Sequence, residues 1–560
     1  MSKKWILRTP HPKLQAELSD ALKIHPLIAQ LLMNRGITDV GEARSFLDPQ
    51  LSGLHDPFLL KDMDKAVKRV QLARERNEKV MIYGDYDVDG VTSTAVLWRA
   101  LKKIGLDVVN YIPHRVEEGY GLNHEIIPLA KEMGVSLLIT VDCGISSFEE
   151  IAALTAEGVE VVILDHHEPD ANGVPLAVAV VDSKQKQNVY PFRDLAGVGL
   201  VAKFVQALTG QFPEYDLDLV TLGTIADMVP LKGENRIIAR LGLPLISRTQ
   251  KLGLRALIRA ARIEGKEVSP HTVGFVLGPR INAAGRVGTA NTSLDLLLAQ
   301  DEVSSLSLAS SLEAHNRERQ RLQSEVAEEA VAAIEADSSF LDEKVIVVHG
   351  QGWHRGVLGI VASKIADKYG RPAIVISLAE GLGIGSARSV EGFHLHDALG
   401  RCGDVLEAFG GHKHAAGLKV REENLSEFRS RLNILARDMI IDCQEPTLDI
   451  DSELALAEAD LELIKVLEAL EPHGEGNPEP VFVTRRLLVK NRPQVMGRDT
   501  IKFWVTDGRV TKQAVGFGMG EAYKGLRQNQ AVDIAYSLSI DDWNKAPQAQ
   551  LTLKDVRILT

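Results

Sequence analysis

Residues 79–90 read KVMIYGDYDVDG, and three carboxylates, Asp85, Asp87 and Asp89, stand there at alternate positions directly after a short apolar run. Acids crowded at the end of a strand repel one another and lose hydration unless a cation compensates them. A hard divalent ion held by oxygen ligands is the simplest such cation; a solvated Asp-rich turn is the other reading. An EF-hand loop is a poor match, since no Glu stands at its twelfth position. Further along, Asp142-Cys143-Gly144 and Asp165-His166-His167 each follow an apolar run, and Asp227 lies in GTIADMVPL. If those runs are neighbouring strands, the groups converge on one edge of a sheet. Lone acids after strands usually cap the next helix, but a set of Asp with His suits Mn²⁺, with Mg²⁺ as the alternative. Several acids, one able to bridge, suit two ions about 3.5–4 Å apart, the arrangement that cleaves phosphate esters.

The elements that would position these groups follow from periodicity. Residues 80–83 make a buried strand and 91–101 a helix. Strands are expected over 108–112, 136–141, 159–164 and 178–181, with helices such as 125–133 and 147–157 between them. That alternation predicts a largely parallel α/β sheet, in which ligands sit at the carboxyl ends of strands. Alternation turns Cys143 away from Asp142, so it reads as a small core residue rather than a thiolate ligand. A chain of 560 residues is expected to hold about three or four domains. Hydrophobic residues at 45% and charged residues at 25% place it among globular proteins. A net charge of −12 excludes an all-round basic surface but allows a local basic groove. Cys143, Cys402 and Cys443 form no C-x-x-C pair; this argues against a disulfide framework or zinc ribbon and for a reducing cytoplasm. The opening MSKKWILRTP has no apolar signal core, and no run approaches the roughly 20 apolar residues of a membrane span. A P-loop, an H-E-x-x-H and a nucleophile elbow are all missing.

Residues 1–78 read as a mostly helical cap on the domain that follows, with an αα-hairpin over 25–35 and 39–47 and an amphipathic helix over 64–76. The stretch HTVGFVLGPRINAAGR, 271–286, places Arg280 and Arg286 in a Gly/Ala-rich loop. Both arginines suit bidentate phosphate contacts; for Arg280 a salt bridge to the metal-site acids is the alternative. Residues 301–336 have few breakers and predict one long helix joining two domains, with the charged run 316–321 as a solvated face. A second α/β region follows, with strands over 345–349, 373–378 and 383–388. Gly383, Gly385, Ser386 and Arg388 offer the N–H, hydroxyl and guanidinium donors of an anion pocket; a Gly-rich hairpin with an ordinary surface arginine is the other reading. GGHKHAAG, 410–417, is expected to lead into a helix, and zinc binding by His412 and His414 lacks companion ligands. Residues 452–471 read as acidic and helical, and 471–480 as a linker or loop. Five short strands, over 481–489, 500–505, 512–517, 531–538 and 548–558, then predict a small barrel of the OB type. Phe503, Trp504, Tyr536 and Trp543 are candidates for stacking on bases, and alternation turns about half of them inward.

Taken in order, LHDPFLLKDMDKAV, GDYDVDG, NYIPHR, GYGL, TVDCG, DHH, GTIADMVPL, GPRINAAGR, GWHRGVLGIVASK, GSARS and GGHKHAAG resemble the DHH phosphoesterase superfamily. In detail the chain resembles its single-strand-specific exonuclease branch, over nearly the whole length. The resemblance implies a helical cap over 1–78, a DHH-type parallel-sheet domain over 79–300 and a connecting helix over 301–340. A DHH-associated α/β domain over 341–440 and an OB-like nucleic-acid-binding domain over 445–560 complete the expected order. It implies Asp87, Asp89, Asp142, His166 and Asp227 as ligands of two Mn²⁺ or Mg²⁺ ions, with Asp142 as the bridge. Asp85 would orient the ligands. His167 would donate to the scissile phosphate or, alternatively, be held structurally by a carboxylate. Arg115, Ser386 and Arg388 would hold a terminal 5′-phosphate, and His412 would lie in a glycine loop contacting nucleic acid. The implied activity is 5′→3′ exonucleolytic cleavage of single-stranded DNA to 5′-mononucleotides, in DNA repair and recombination. A cytoplasmic monomer without membrane attachment is expected, with a helicase and a single-strand-binding protein as partners. Two rivals stand beside this. One is a small-molecule DHH phosphoesterase acting on pyrophosphate, cyclic dinucleotides or very short RNA, which needs neither the long helix nor the barrel. The other is a strand-binding scaffold at the replication fork that has lost its metals, against which the acids at 87, 89, 142 and 227 speak.

Overall fold

The computed structural model describes residues 3–439, 447–497, 499–541 and 547–559; Cys443 and Trp543 lie outside them. The described residues fall into two compact units, one within Asp56–Asp227 and Leu243–Cys443, the other within Met1–His55, Met228–Gly242 and Gln444–Thr560.

The first unit is built on five parallel strands, β1 (Lys79–Gly84), β2 (Asp107–Tyr111), β3 (Val135–Val141), β4 (Glu160–Leu164) and β5 (Ala179–Val181), in the order β2-β1-β3-β4-β5. A parallel sheet is covered on both faces, so its strands are apolar throughout rather than alternating. Val80, Met81, Ile82 and Tyr83 are each at most 1% exposed, and burying side chains of this size stabilises by about 1.5–3 kcal/mol apiece. Gly84 is opposite Val141, Val141 opposite Leu164, and Leu164 opposite Val181. Asp85, Asp142, Asp165 and Asp182 therefore leave four adjacent strands at one level. Helix α1 (Val88–Lys103) starts at once, with Asp87 as its N-cap: the Asp87 Oδ1 accepts from the N–H groups of Asp89 and Gly90. The helix Leu217–Ala226 packs against α1 and delivers Asp227 at its C-terminal end.

Residues 270–287 are helical and not the expected loop: Pro270–Thr272, a π-turn at Val273–Leu277 and Gly278–Val287 run on without a break. Their small residues serve close packing rather than loop conformations. A Cβ on Gly285 would stand 3.2 Å from the Tyr86 carbonyl oxygen.

Helix α2 (Glu302–Ala336) is the single long helix expected, capped by Asp301, whose Oδ1 accepts from the Ser304 N–H. Its buried residues, Ser305, Ala309, Leu312, Asn316, Arg319, Gln323, Val326, Ala330 and Ile334, recur every three or four positions and form one stripe. The N-terminal half of the stripe faces helices Leu252–Ala260, Gly278–Val287 and Asn291–Leu298. Val326, Ala330 and Ile334 join the core of the second sheet. Only part of the run 316–321 is a solvated face. Arg317 and Arg321 pair with glutamates of their own helix, whereas Arg319 is buried, donating to Asn316 and Gln323 at 2.9 Å each.

The second sheet comprises β6 (Ile346–Gln351), β7 (Ala373–Ala379), β8 (Leu382–Arg388), β9 (Ala408–Gly411) and β10 (Ala415–Arg421), ordered β9-β10-β8-β7-β6 with only β6 and β7 parallel. GGHKHAAG therefore does not open a helix. It is the turn of the β9–β10 hairpin, because Ala416, Leu418 and Val420 are buried at every second position.

In the other unit, Phe482–Val489, Thr500–Thr506, Thr511–Phe517, Ala531–Asp541 and Gln548–Ile558 close a five-stranded barrel. The first strand pairs with Ala531–Asp541 and, at Leu488 and Val489, with Thr500–Thr506; Thr511–Phe517 and Gln548–Ile558 run parallel. This is the expected OB-type closure. The early helices, expected as a cap on the following domain, share the barrel's core instead: Leu18, Ile28, Leu31 and Leu32 cluster with Phe482, Ile501 and Phe503. Their apolar faces are the reason. Nothing in the sequence signalled the strand Lys4–Leu7, which pairs with Thr447–Ile450. Within 452–471 only Leu461–Leu467 is an α-helix, beside two short 3₁₀ turns. Phe503 and Tyr536 point inward, and the Tyr536 hydroxyl bonds Thr484. Trp504 is half-exposed and, with Asp460, Glu462, Lys512 and Gln548, lines a cavity of about 410 Å³. Among the described residues no helix is long and apolar enough to cross a membrane.

Candidate active site

His166 Nε2 lies 3.1 Å from Asp142 Oδ1, 3.6 Å from Asp227 Oδ2 and 3.7 Å from Asp89 Oδ2. His166, Asp142 and Asp89 are buried, yet neither His166 Nε2 nor Asp142 Oδ1 has a hydrogen-bond partner among the described residues. Burial, and then the neighbouring His167, hold the His166 imidazole down to about 3, so at neutral pH it carries a lone pair rather than a charge. Burial, then Asp87, pushes Asp89 up to about 7. Burial, then like charge, also raises Asp85, Asp142 and Asp227. A buried lone pair among mutually repelling carboxylates is the electrostatic signature that a bound cation inverts. Ligand atoms of Asp89, His166 and Asp227 lie within 4.8 Å of one another, as do those of Asp85, Asp87 and Asp142; Asp142 also groups with His166 and His167. Carboxylate oxygens with one imidazole fit Mn²⁺ or Mg²⁺, and Asp142, which lies between the groups, fits a bridge. Asp85, expected only to orient ligands, stands within ligand reach, with a buried Oδ1 that lacks a partner.

The backbone is bent to make this possible. Asp142 has φ +62°, the left-handed region that a side chain other than glycine rarely occupies. Asp89 accepts from the Gly197 and Val198 N–H groups, at 2.6 and 2.8 Å, where the helix Gly197–Thr209 begins. A Cβ on Gly197 would stand 3.0 Å from both Asp142 Oδ1 and Asp89 Oδ2. Asp165 takes no part in the ligand groups. It accepts from the N–H groups of Ile145, His166 and His167 and, at 2.7 Å, pairs with His167 Nδ1. Burial works against a charged His167, but Asp165 outweighs it and the imidazole rises to about 9. Nε2 is then the nitrogen left to donate to a substrate, so being held by a carboxylate and donating to a phosphate are compatible here. Cys143 is buried in the core beneath, as expected.

Removing divalent ions with a chelator should make stability fall as pH rises. Asp89 keeps its proton to about 7 in the folded chain, against an ordinary value of 3.8. The folded state therefore binds more protons across that window, stability drops through it, and it stays low above it. Thermal melts in chelator should give the lower melting temperature at about pH 8 and the higher at about pH 5, an order that added Mn²⁺ reverses.

A second constellation is cationic. Arg115 lies over the Tyr86 ring, 4.5 Å from its centroid. Arg286 Nη1 donates to the Gly356 carbonyl at 3.0 Å, and Arg388 Nη1 to Ser386 Oγ at 3.3 Å and to the Ala387 carbonyl at 2.8 Å. Burial, then the charges of Arg115, Arg319 and Arg388, lower Arg286 to about 9; burial, then Arg115, lowers Arg388. Among the described residues, Arg115, Arg286 and Arg388 form no ion pair with a carboxylate. Guanidiniums that repel one another without a carboxylate suit a phosphate. Arg280 does not join them. It pairs with Glu313 of α2 at 2.8 Å and donates to the Val276 carbonyl at 2.7 Å, so it neither buttresses the metal-site acids nor stands free for a phosphate. His412 sits on the exposed β9–β10 turn.

Three family models match the chain: the DHH family, N-terminal domain, over residues 79–224, the DHHA1 domain over 342–438 and the RecJ OB domain over 450–555. The single-stranded-DNA-specific exonuclease RecJ of Haemophilus influenzae is 34% identical, over 95% of this chain and 96% of that protein. The chain belongs to the RecJ family. RecJ of Bacillus subtilis is 40% identical, over 99% of this chain and 71% of that protein. The crystal structure of RecJ in complex with Mn²⁺ from Thermus thermophilus matches with a TM-score of 0.85 at 30% identity, over all of this chain and 80% of that one. Within this RecJ-family site, two residues escaped sequence reasoning, Gly197 and Tyr120, while Asp165 was singled out and proves to be the carboxylate that holds His167. Gly197 gives only the weak signal of a glycine before a helix. Tyr120, whose hydroxyl lies 3.1 Å from His167 Nδ1, stands in GYGL with no polar pattern around it.

Proposed function

We propose that this RecJ-family chain is a single-stranded-DNA-specific exonuclease that works 5′→3′ and releases 5′-mononucleotides, in DNA repair and recombination. The observation that carries the reading is the unpartnered His166 Nε2, ringed by Asp89, Asp142 and Asp227, in the same unit as a cluster of unpaired guanidiniums. Asp87, Asp89, Asp142, His166 and Asp227 would hold two Mn²⁺ or Mg²⁺ ions, with Asp142 between them and Asp85 beside them. Bound there, the ions would supply an activated water and charge neutralisation at the phosphate. His167, charged and steadied by Asp165, would donate from Nε2 to a phosphate oxygen. Arg115, Ser386, Arg388 and Arg286 would receive the terminal 5′-phosphate, which sets the polarity. Half-exposed Trp504, in one cavity with Lys512, supports a single-strand path on the barrel, since an aromatic beside a cation stacks bases without regard to sequence.

One chain carries both the acids and the guanidiniums, which supports a monomer. The buried free thiols of Cys143 and Cys402 support a reducing cytoplasm. A helicase and a single-strand-binding protein are the partners such an enzyme needs to obtain and handle unwound strands. Incubation of 5′- and 3′-labelled single strands with Mn²⁺ tests the reading. Labelled mononucleotide should appear at once from the 5′-labelled strand and last from the 3′-labelled one. The opposite order would remove the polarity, and turnover of dinucleotides alone would favour a small-molecule phosphoesterase.

A further inference from the structure

Tyr86 stands between two candidate ligands, Asp85 and Asp87, and its ring lies beneath the Arg115 guanidinium. Behind it, the helix Gly278–Val287 comes so close that a Cβ on Gly285 would sit 3.6 Å from the Tyr86 Cβ. The next residue is Arg286. Its carbonyl would lie only 2.1 Å from a Cβ on Gly356, and its guanidinium donates to the Gly356 carbonyl. From there, Gly359 lies against Ser386 and Arg388: a Cβ on it would be 3.0 Å from Ser386 Oγ and 2.9 Å from Arg388 Nη2. The metal loop thus reaches the guanidinium cluster by two routes, through the Tyr86 carbonyl and Cβ against Gly285 and through the Tyr86 ring against Arg115.

We propose that Tyr86 is the positioning residue that sets the span between the metal centre and the 5′-phosphate pocket, and so fixes the released unit at one nucleotide. This rests on the end-pocket reading given above. The chemistry explains the residue type. A π face holds a guanidinium in place without neutralising it, so Arg115 keeps its full charge for the phosphate. An acid at position 86 would pair with Arg115 and compete with that phosphate. Because Tyr86 belongs to the loop Asp85-Tyr86-Asp87, Arg115 is held by the same backbone that presents the metal ligands. Loss of the ring leaves Arg115 free to drift relative to the reacting phosphate.

The test compares Tyr86→Phe, Tyr86→Leu and Arg388→Ala in the full chain with Mn²⁺, on single strands with 5′-phosphate or 5′-hydroxyl ends. Tyr86→Phe keeps the π face and should match the parent in rate, end preference and product length. Tyr86→Leu should lower kcat on 5′-phosphorylated strands about ten-fold, within the range of a desolvated cation–π contact. Its KM should change less, and dinucleotides should appear among its products. The Mn²⁺ concentration for half-maximal rate should stay unchanged. A Tyr86→Leu enzyme that keeps its 5′-phosphate preference and releases only mononucleotides, while Arg388→Ala loses that preference, overturns the role of Tyr86 alone. An Arg388→Ala enzyme indistinguishable from the parent on both ends overturns the end pocket, and the proposal with it. A shifted Mn²⁺ requirement in Tyr86→Leu also overturns the proposal, since the ring would then act through the ions. Tyr86→Met, of similar volume but without a π face, takes the place of Tyr86→Leu if that chain does not fold.

Discussion

Asp142→Ala should cut nucleotide release by about a thousand-fold or more while leaving single-strand affinity within about two-fold. A metal ion contributes several kcal/mol of charge stabilisation in such a transition state, and every ~1.4 kcal/mol is ten-fold in rate. Asp142 lies between the two ligand groups and 3.1 Å from His166 Nε2, so its loss disturbs both ions at once. Strand affinity comes from phosphate and base contacts made elsewhere. Folding should not suffer in chelator, because the substitution removes one of several carboxylates that repel one another in a buried place. Rate and filter-binding measurements on the same preparation check the pair of outcomes. Turnover within ten-fold of the parent would remove the two-ion mechanism.

Arg388→Ala should cost about ten- to a hundred-fold on strands that begin with a 5′-phosphate, the magnitude of a charge-assisted contact to an anion. Strands beginning with a 5′-hydroxyl should be cut at nearly the parental rate. Arg388 shares its face of β8 with Ser386 and, among the described residues, forms no ion pair with a carboxylate, so its removal leaves none of their buried acids unpaired. Initial rates on the two ends measure the effect. An equal loss on both would mean that Arg388 holds the strand generally rather than its terminus.

The parallel sheet was legible because its strands are continuous apolar runs and because each ends in a chemically distinctive residue. Asp142, Asp165-His166-His167 and the aspartates after β1 converge on one edge only if their strands are neighbours, which the sheet order supplies. The barrel strands were legible for a similar reason, their periodicity of two. The errors share a cause as well. Glycine and alanine in 271–286 and 410–417 look like loop residues or helix starters by type. In the fold they are small because another backbone passes close by, which no local pattern reveals. Arg280 and Arg286 are six positions apart in one segment and look alike. Only the position of Glu313, brought in by α2, separates the paired arginine from the unpaired one. The early helices carry apolar faces that announce burial, but a face does not name its partner, which proved to be a barrel more than 400 residues away in sequence. The motif implies an orienting role for Asp85, and only the fold shows that its carboxylate groups with those of Asp87 and Asp142.

Helix α2 is about 50 Å of unbroken rod at 1.5 Å per residue, and its buried stripe packs on the helices Leu252–Ala260, Gly278–Val287 and Asn291–Leu298 and on the core of the second sheet. The polar trio Asn316, Arg319 and Gln323, bonded to one another within the helix, sits mid-way along that buried stripe. One continuous rod carrying both packings sets the distance between them, as the bar of a calliper does. A single strand drawn along such a rod would meet one set spacing, and a base carrying a bulky adduct should halt the enzyme always at the same offset from the lesion.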